Sequence, residues 1–284
     1  MLGIFNLILC KSLRDLMRDN CEAFQFNLVE SKSISLDDVT QWHTLAQEKD
    51  FRIWVKSTGP KPRVKCEVRD SIDFLDKIGV TSSIDSYRCD ISEIKGFRSS
   101  KSNLSLFSSM DQLATTSSPE LVNTASREDF GRALAWHDFP NQNNSKLVVH
   151  DWDKRFFIDN SNGSHHFAVA RYLSKKFKAL VSFDAPLLVH GLSPAAVSNL
   201  TNNYHVYVLP LNYSNLSGIF LSLLERLGTH PITFAMPSPF SDKAEVLLLK
   251  KSTKLSMPVA EILSNYALFN LGDYLRRLIE ECDF

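Results

Sequence analysis

The segment Phe156-Phe-Ile-Asp-Asn-Ser-Asn-Gly-Ser-His-His-Phe-Ala-Val-Ala-Arg-Tyr-Leu173 changes its period halfway along. Phe156 to Ile158 is a short apolar run, read as a strand that ends at Asp159. Asn160, Ser161, Asn162 and Gly163 tolerate tight turns and left-handed backbone. From Ser164 the pattern is helical, with Phe167, Ala170, Tyr172, Leu173 and Phe177 on the buried side and Ser164 placed to cap.

Similar alternations run outward from this segment. Lys146–His150 and Arg155–Ile158 read as strands about Asp151-Trp152-Asp153-Lys154, and 179–183, 187–190, 204–209, 232–235 and 244–249 as further strands. Helices are expected over 119–136, where Ser118-Pro119 makes a start, from Ser193-Pro194, over 216–227 and over 271–281. Several strands are apolar on both faces, which calls for a sheet covered on both sides. The expected class is α/β or mixed α+β, a mixed sheet covered by helices with a smaller β-rich N-terminal part. In that part, residues 2–19 read as an amphipathic helix and 24–30 as a strand. Residues 36–49 read as a short helix, and 51–56 and 63–68 as a hairpin about Thr58-Gly59-Pro60-Lys61-Pro62. Residues 70–118 are weakly patterned and rich in serine, so the chain divides into 1–98, a linker or surface excursion at 99–118, and a domain over 119–284.

The first-turn amides of a helix are unpaired and carry partial positive charge, so a glycine turn leading into one suits an anion, phosphate above all. His165 and His166 lie in that first turn and can donate to an anion or relay a proton. Successive helical residues point about 100° apart, so they do not act as a matched pair. Asp159 can orient a histidine, bind a metal or meet a ribose hydroxyl.

Ile158-Asp-Asn-Ser-Asn-Gly-Ser-His-His-Phe-Ala-Val-Ala170 resembles the ParB/sulfiredoxin-like superfamily, in which a strand, a loop of the D-G-x-H-R type and an alanine-bearing helix hold nucleotide phosphates. Gly163, His165 and Ala170 stand at matching places. The loop between Asp159 and Gly163 is longer, and His166 replaces an arginine, for which Arg171 is the candidate substitute. The resemblance covers roughly twenty residues, and the whole chain looks like a bacterial or phage protein carrying such a module. It implies a phosphate-bearing small molecule or nucleotide as ligand, with a divalent metal as a possible companion. Asp159, Gly163, Ser164 and Arg171 would bind, and His165 and His166 would do phosphoryl or phosphodiester chemistry. The alternative is a non-enzymatic accessory protein acting through protein contact, for which the N-terminal helix is the expected surface.

Composition bounds the rest. Of 284 residues, 44% are hydrophobic, enough for a real core. Thirty-two basic and thirty-two acidic residues cancel, so charge does not indicate nucleic acid, although a local patch could still meet it. Five scattered cysteines without a C-x-x-C pair fit a reducing, cytoplasmic setting and no zinc knuckle. The apolar N-terminus is too short to span a bilayer and lacks a basic n-region, so no transmembrane segment is expected. P-loop, Rossmann, nucleophile-elbow and H-E-x-x-H motifs are missing. His150-Asp151-Trp152-Asp153 reads as hairpin chemistry before metal binding, and no metal ligands are assigned. His190 and His205 are candidates to line one sheet edge with His165, and Trp136-His137-Asp138 closes a helix.

Overall fold

Val246, Leu247, Leu248 and Leu249 are all without solvent exposure, so the strand that holds them is buried on both faces. The computed structural model describes residues 4–47, 50–56, 64–69, 75–135, 145–160, 163–211 and 214–281, and among these described residues are that strand, nine others and nine α-helices. The strands are β1 Phe51–Lys56, β2 Val64–Arg69, β3 Gly79–Asp90, β4 Ile94–Phe97, β5 Lys146–His150, β6 Phe156–Asp159, β7 Ser182–Leu192, β8 Tyr204–Pro210, β9 Ile232–Ala235 and β10 Ala244–Lys250. The helices are α1 Ile4–Asp19, α2 Met110–Ser117, α3 Pro119–Thr124, α4 Arg127–Leu134, α5 Ser164–Phe177, α6 Pro194–Asn203, α7 Ser214–Arg226, α8 Ser256–Asn265 and α9 Leu271–Glu281. The class is mixed α+β, with two five-stranded sheets where the sequence suggested one. No helix among the described residues is long and apolar enough to cross a membrane.

The chain forms two compact units, and each draws on separate stretches. One comprises Met1–Val29, Gln41–Gly79 and Leu192–Phe284, the other Glu30–Thr40 and Val80–Gly191. In the first, the sheet order is β2-β1-β9-β10-β8, with antiparallel ladders. The β-rich N-terminal part is therefore the edge of a sheet whose centre comes from the C-terminal third. Tyr207, Leu209, Leu247 and Leu249 point to one face, where Leu9, Leu13 and Met17 of α1, Phe220 and Leu224 of α7 and Val259 and Leu263 of α8 complete the core. Strand alternation turns Val206, Val208, Val246 and Leu248 to the other face, where α6 and α9 pack on β8. In α1 the expected stripe holds at Leu9, Leu13 and Met17, but Phe5 is 60% exposed.

The second unit has the order β3-β7-β5-β6-β4. Strands β7 and β5 are parallel, β5 and β6 antiparallel, and β6 and β4 parallel. Helix α5 lies at the centre of its core, where Phe167, Ala168, Val169, Ala170 and Leu173 pack with Leu113 and Ala114 of α2, Phe97 of β4 and Leu147 and Ile158 of the sheet. Residues 99–118, read from sequence as a linker or surface excursion, carry a 3-10 turn at Leu104–Leu106 and α2 in this core.

Several local expectations change. Residues 25–30 form no ladder; Phe26 instead packs edge-on against Phe240 and Phe269. The helix expected from 36 is replaced by two 3-10 turns, Leu36–Asp38 and Trp42–Thr44, with 48–49 outside the described residues. The helix expected over 119–136 is two: Ala125 is left-handed at φ 44°, and Ser126 starts α4 with a capping box to Asp129. Strand β7 continues through Pro186, where two strands were expected. The turn 58–62, Ser161, Asn162 and Trp136-His137-Asp138 lie outside the described residues.

Candidate functional site

Parallel pairing builds the site. Strands β4 and β6 run side by side, with Phe97 opposite Ile158 and Arg98 N donating to Ile158 O at 3.1 Å. Parallel strands leave a sheet at the same end, so residues 98–102 emerge beside the turn from β6 into α5. Three serines then hold that turn. Ser99 Oγ donates to Asn160 O at 2.6 Å, Ser164 Oγ donates to Ser100 Oγ at 2.7 Å, and Ser102 Oγ lies 2.9 Å from His165 Nε2.

Gly163 sits at φ 81°, in the left-handed region that favours glycine, and it is the N-cap of α5. The sequence reading gave the cap to Ser164, which is instead the first helical residue. Its hydroxyl is committed to Ser100. The α5 start thus brings together Gly163, Ser164 and His165 from the predicted set, with Ser100 and Ser102 added. Burial, and secondarily the charge of Lys101, push the His165 imidazole below its ordinary range, which favours its neutral form. Depending on tautomer, Nε2 either accepts the Ser102 proton or donates to its oxygen.

The other predicted residues divide. Asp159 is paired with Arg98 at 3.0 Å, which places a carboxylate–guanidinium pair at the strand end beside the turn. His166 is half-buried on the next helical position. Arg171 is held away from the histidines, by α2 and by the turn before β4. It is 4% exposed, with NH1 on Asp111 Oδ1 at 2.6 Å and NH2 on Ser92 O at 3.3 Å.

His150 and His190 are register partners on β5 and β7, with ring centroids 5.2 Å apart, and Thr81 Oγ1 lies 2.9 Å from His190 Nδ1. His205 belongs to the other sheet, opposite Leu249, so the three histidines His165, His190 and His205 do not line one edge. Asp153 accepts from Arg155 N at 3.1 Å and Arg155 Nε at 2.7 Å across a turn with Lys154 at φ 61°, which is the hairpin chemistry expected there. Lys146 opposite Asp159 places that aspartate at the far end of the hairpin from Asp153.

The serines were visible in the sequence as composition only. Their role depends on β4, a four-residue strand with a register shift between Ile94 and Gly96, and nothing in Ile94-Lys-Gly-Phe97 announces a parallel partner sixty residues on. Residues 84–284 match a protein family described as "Family of unknown function (DUF6685)", and this range contains the whole α5 start with its serine clasp. No curated protein and no solved structure matches the chain at a significant level.

Proposed function

The chain belongs to DUF6685, and we propose that it binds a phosphate-bearing ligand, a nucleotide in the first instance, at the start of α5. The observation that carries this reading is the gathering of Ser100, Ser102, Ser164 and His165 around a glycine-led helix start. A helix start and its dipole favour an anion, and the hydroxyls of Ser100, Ser102 and Ser164 can turn to a phosphate oxygen at little cost. Lys101 adds positive charge next to His165. The local resemblance of 158–170 to the ParB/sulfiredoxin-like superfamily points the same way.

If the ligand reacts, His165 is the acid–base group. A neutral imidazole at hydrogen-bond distance from a hydroxyl can take a proton from that hydroxyl or from a bound water and return it to a leaving oxygen. His166 does not duplicate this role, because it leaves the helix in another direction. Asp159 holds Arg98 at the rim of the turn.

Thermal unfolding with ATP, GTP and their monophosphates, with and without magnesium, tests the reading. Ligand at a hundred times its Kd stabilises by about 2.7 kcal/mol, a rise of several degrees in Tm. His165→Ala and Ser102→Ala should each weaken that response about tenfold, the effect of one hydrogen bond to a charged group. No response to any nucleotide, or a response that both variants keep, refutes the assignment. The second reading, action through protein contact, has its own observation: Ile4, Phe5, Leu7 and Ile8 of α1 are all more than half exposed. A nucleotide-independent complex lost on Phe5→Asp and Ile8→Asp would favour it.

A further inference from the structure

Arg171 was expected beside the histidines and is found elsewhere in the same unit, on a cavity of about 370 Å³. Four cationic side chains line this cavity, Lys32, Lys95, Arg155 and Arg171, against two acidic ones, Glu30 and Asp153. The pairing within it is uneven. Arg155 is fully engaged, with Nε and NH2 on Asp153 at 2.7 Å each, NH1 on Ser33 O at 2.7 Å and NH2 on Ser31 O at 2.9 Å. Arg171 is not. Its side chain is 5% exposed, its Nε is buried with no hydrogen-bond partner among the described residues, and its carboxylate, Asp111, also serves Lys175 at 2.9 Å.

Lys95 stands beside these two cations, and among the described residues its ammonium donates to Ser92 O, at a long 3.4 Å. Burial, then Arg171 and Lys175, push it below its ordinary range, against the opposing charges of Asp111 and Glu93. The start of α2, at Ser108, Ser109 and Met110, completes the wall and brings the positive end of a helix dipole.

We propose that this cavity is a second binding site, separate from the α5 start, for a phosphate group, with Lys95 as the mobile cation that meets it and Arg171 as the fixed charge behind. Lys is the usual point charge for phosphate, and its exposed, flexible stem can reach a ligand that Arg171 cannot. The anion would meet the part of Arg171 that Asp111, shared with Lys175, leaves unbonded.

The test is a titration of inorganic phosphate against chloride at matched ionic strength, followed by Tm. It is run on the wild-type chain and on the Lys95→Gln, Lys95→Arg and His165→Ala variants. Lys95 is exposed, so its replacement leaves the core intact. The expected result is a saturable rise in Tm that needs at least about tenfold more phosphate in Lys95→Gln, returns in Lys95→Arg and persists in His165→Ala. No saturable response in the wild type, an equal response in Lys95→Gln, or loss of the response in His165→Ala overturns the proposal. The nucleotide experiment on His165 and Ser102 is scored on different residues, so the failure of either site is distinguishable from failure of the other.

Discussion

At the scale of single residues, Gly163 is the position with the clearest cost. Its φ of 81° lies where a Cβ meets the neighbouring carbonyl. Gly163→Ala should destabilise the protein by about 1–2 kcal/mol, measured by urea unfolding. A cost below a few tenths would mean that the turn relaxes to another conformation and that the α5 start is not rigidly set. The glycine was legible in the sequence, because a polar turn before a helical period leaves few other uses for it. The partners of its neighbours were not. Ser164 looks like a cap in one dimension, since serine before an apolar period is the usual signal. Its hydroxyl goes to Ser100 instead, a residue 64 positions away, and short-range rules do not contain such a bond. Arg171 failed for a related reason. Helical spacing says which face it occupies, but not that Asp111 waits on that face.

At the scale of elements, long apolar patterns were read well and short or two-sided ones were not. Strands β8 and β10 announce themselves by continuous Val, Leu and Tyr, and α5 and α7 by their period. Strand β3 does not: most of Val80 to Arg88 is exposed, so no apolar alternation marks it. Strand β4 is four residues long and includes Gly96, which a pattern search discounts. The structure shows why glycine stands there: a Cβ at this position would collide with the backbone carbonyl of Ile34 and press on the Phe157 ring. Gly96→Ala must therefore push β4 away from Ile34 or from β6. The expected loss is about 1–3 kcal/mol, accompanied by a weakened nucleotide response, because the serine clasp hangs from the end of this strand. Loss of stability with the nucleotide response unchanged would show that 98–102 holds its place without β4.

At the scale of the whole molecule, the mixed α+β class was legible and the division of the chain was not. Composition marks 99–118 as different, yet its serines clasp one end of a packed unit and its Leu113 and Ala114 are wholly buried. Buried thiols offer a way to watch the two units separately. Cys10 belongs to the first and Cys89 to the second, and both are buried, whereas Cys21 and Cys66 are exposed. Burial, reinforced by Glu93, pushes the Cys89 thiol up to about 12. At pH 8 in native buffer, an alkylating reagent should modify Cys21 and Cys66 and spare Cys10 and Cys89, read by peptide mass spectrometry. In rising urea, each protected thiol should become reactive when its own unit opens. Early labelling of Cys89 in native buffer would contradict the packing of the second unit.

Because the units draw on alternating stretches, they also differ in when they can be finished during synthesis. Every residue of the second has left the ribosome once Gly191 emerges. At that moment β1 and β2 have been translated, but β9, the neighbour of β1 in the finished sheet, has not. Any pairing of β1 with β2 before then leaves the β9 side of β1 as an open β-edge. Such an edge is a template for unwanted pairing, and slow or stalled translation before Ile232 is the condition under which this protein is most exposed to it.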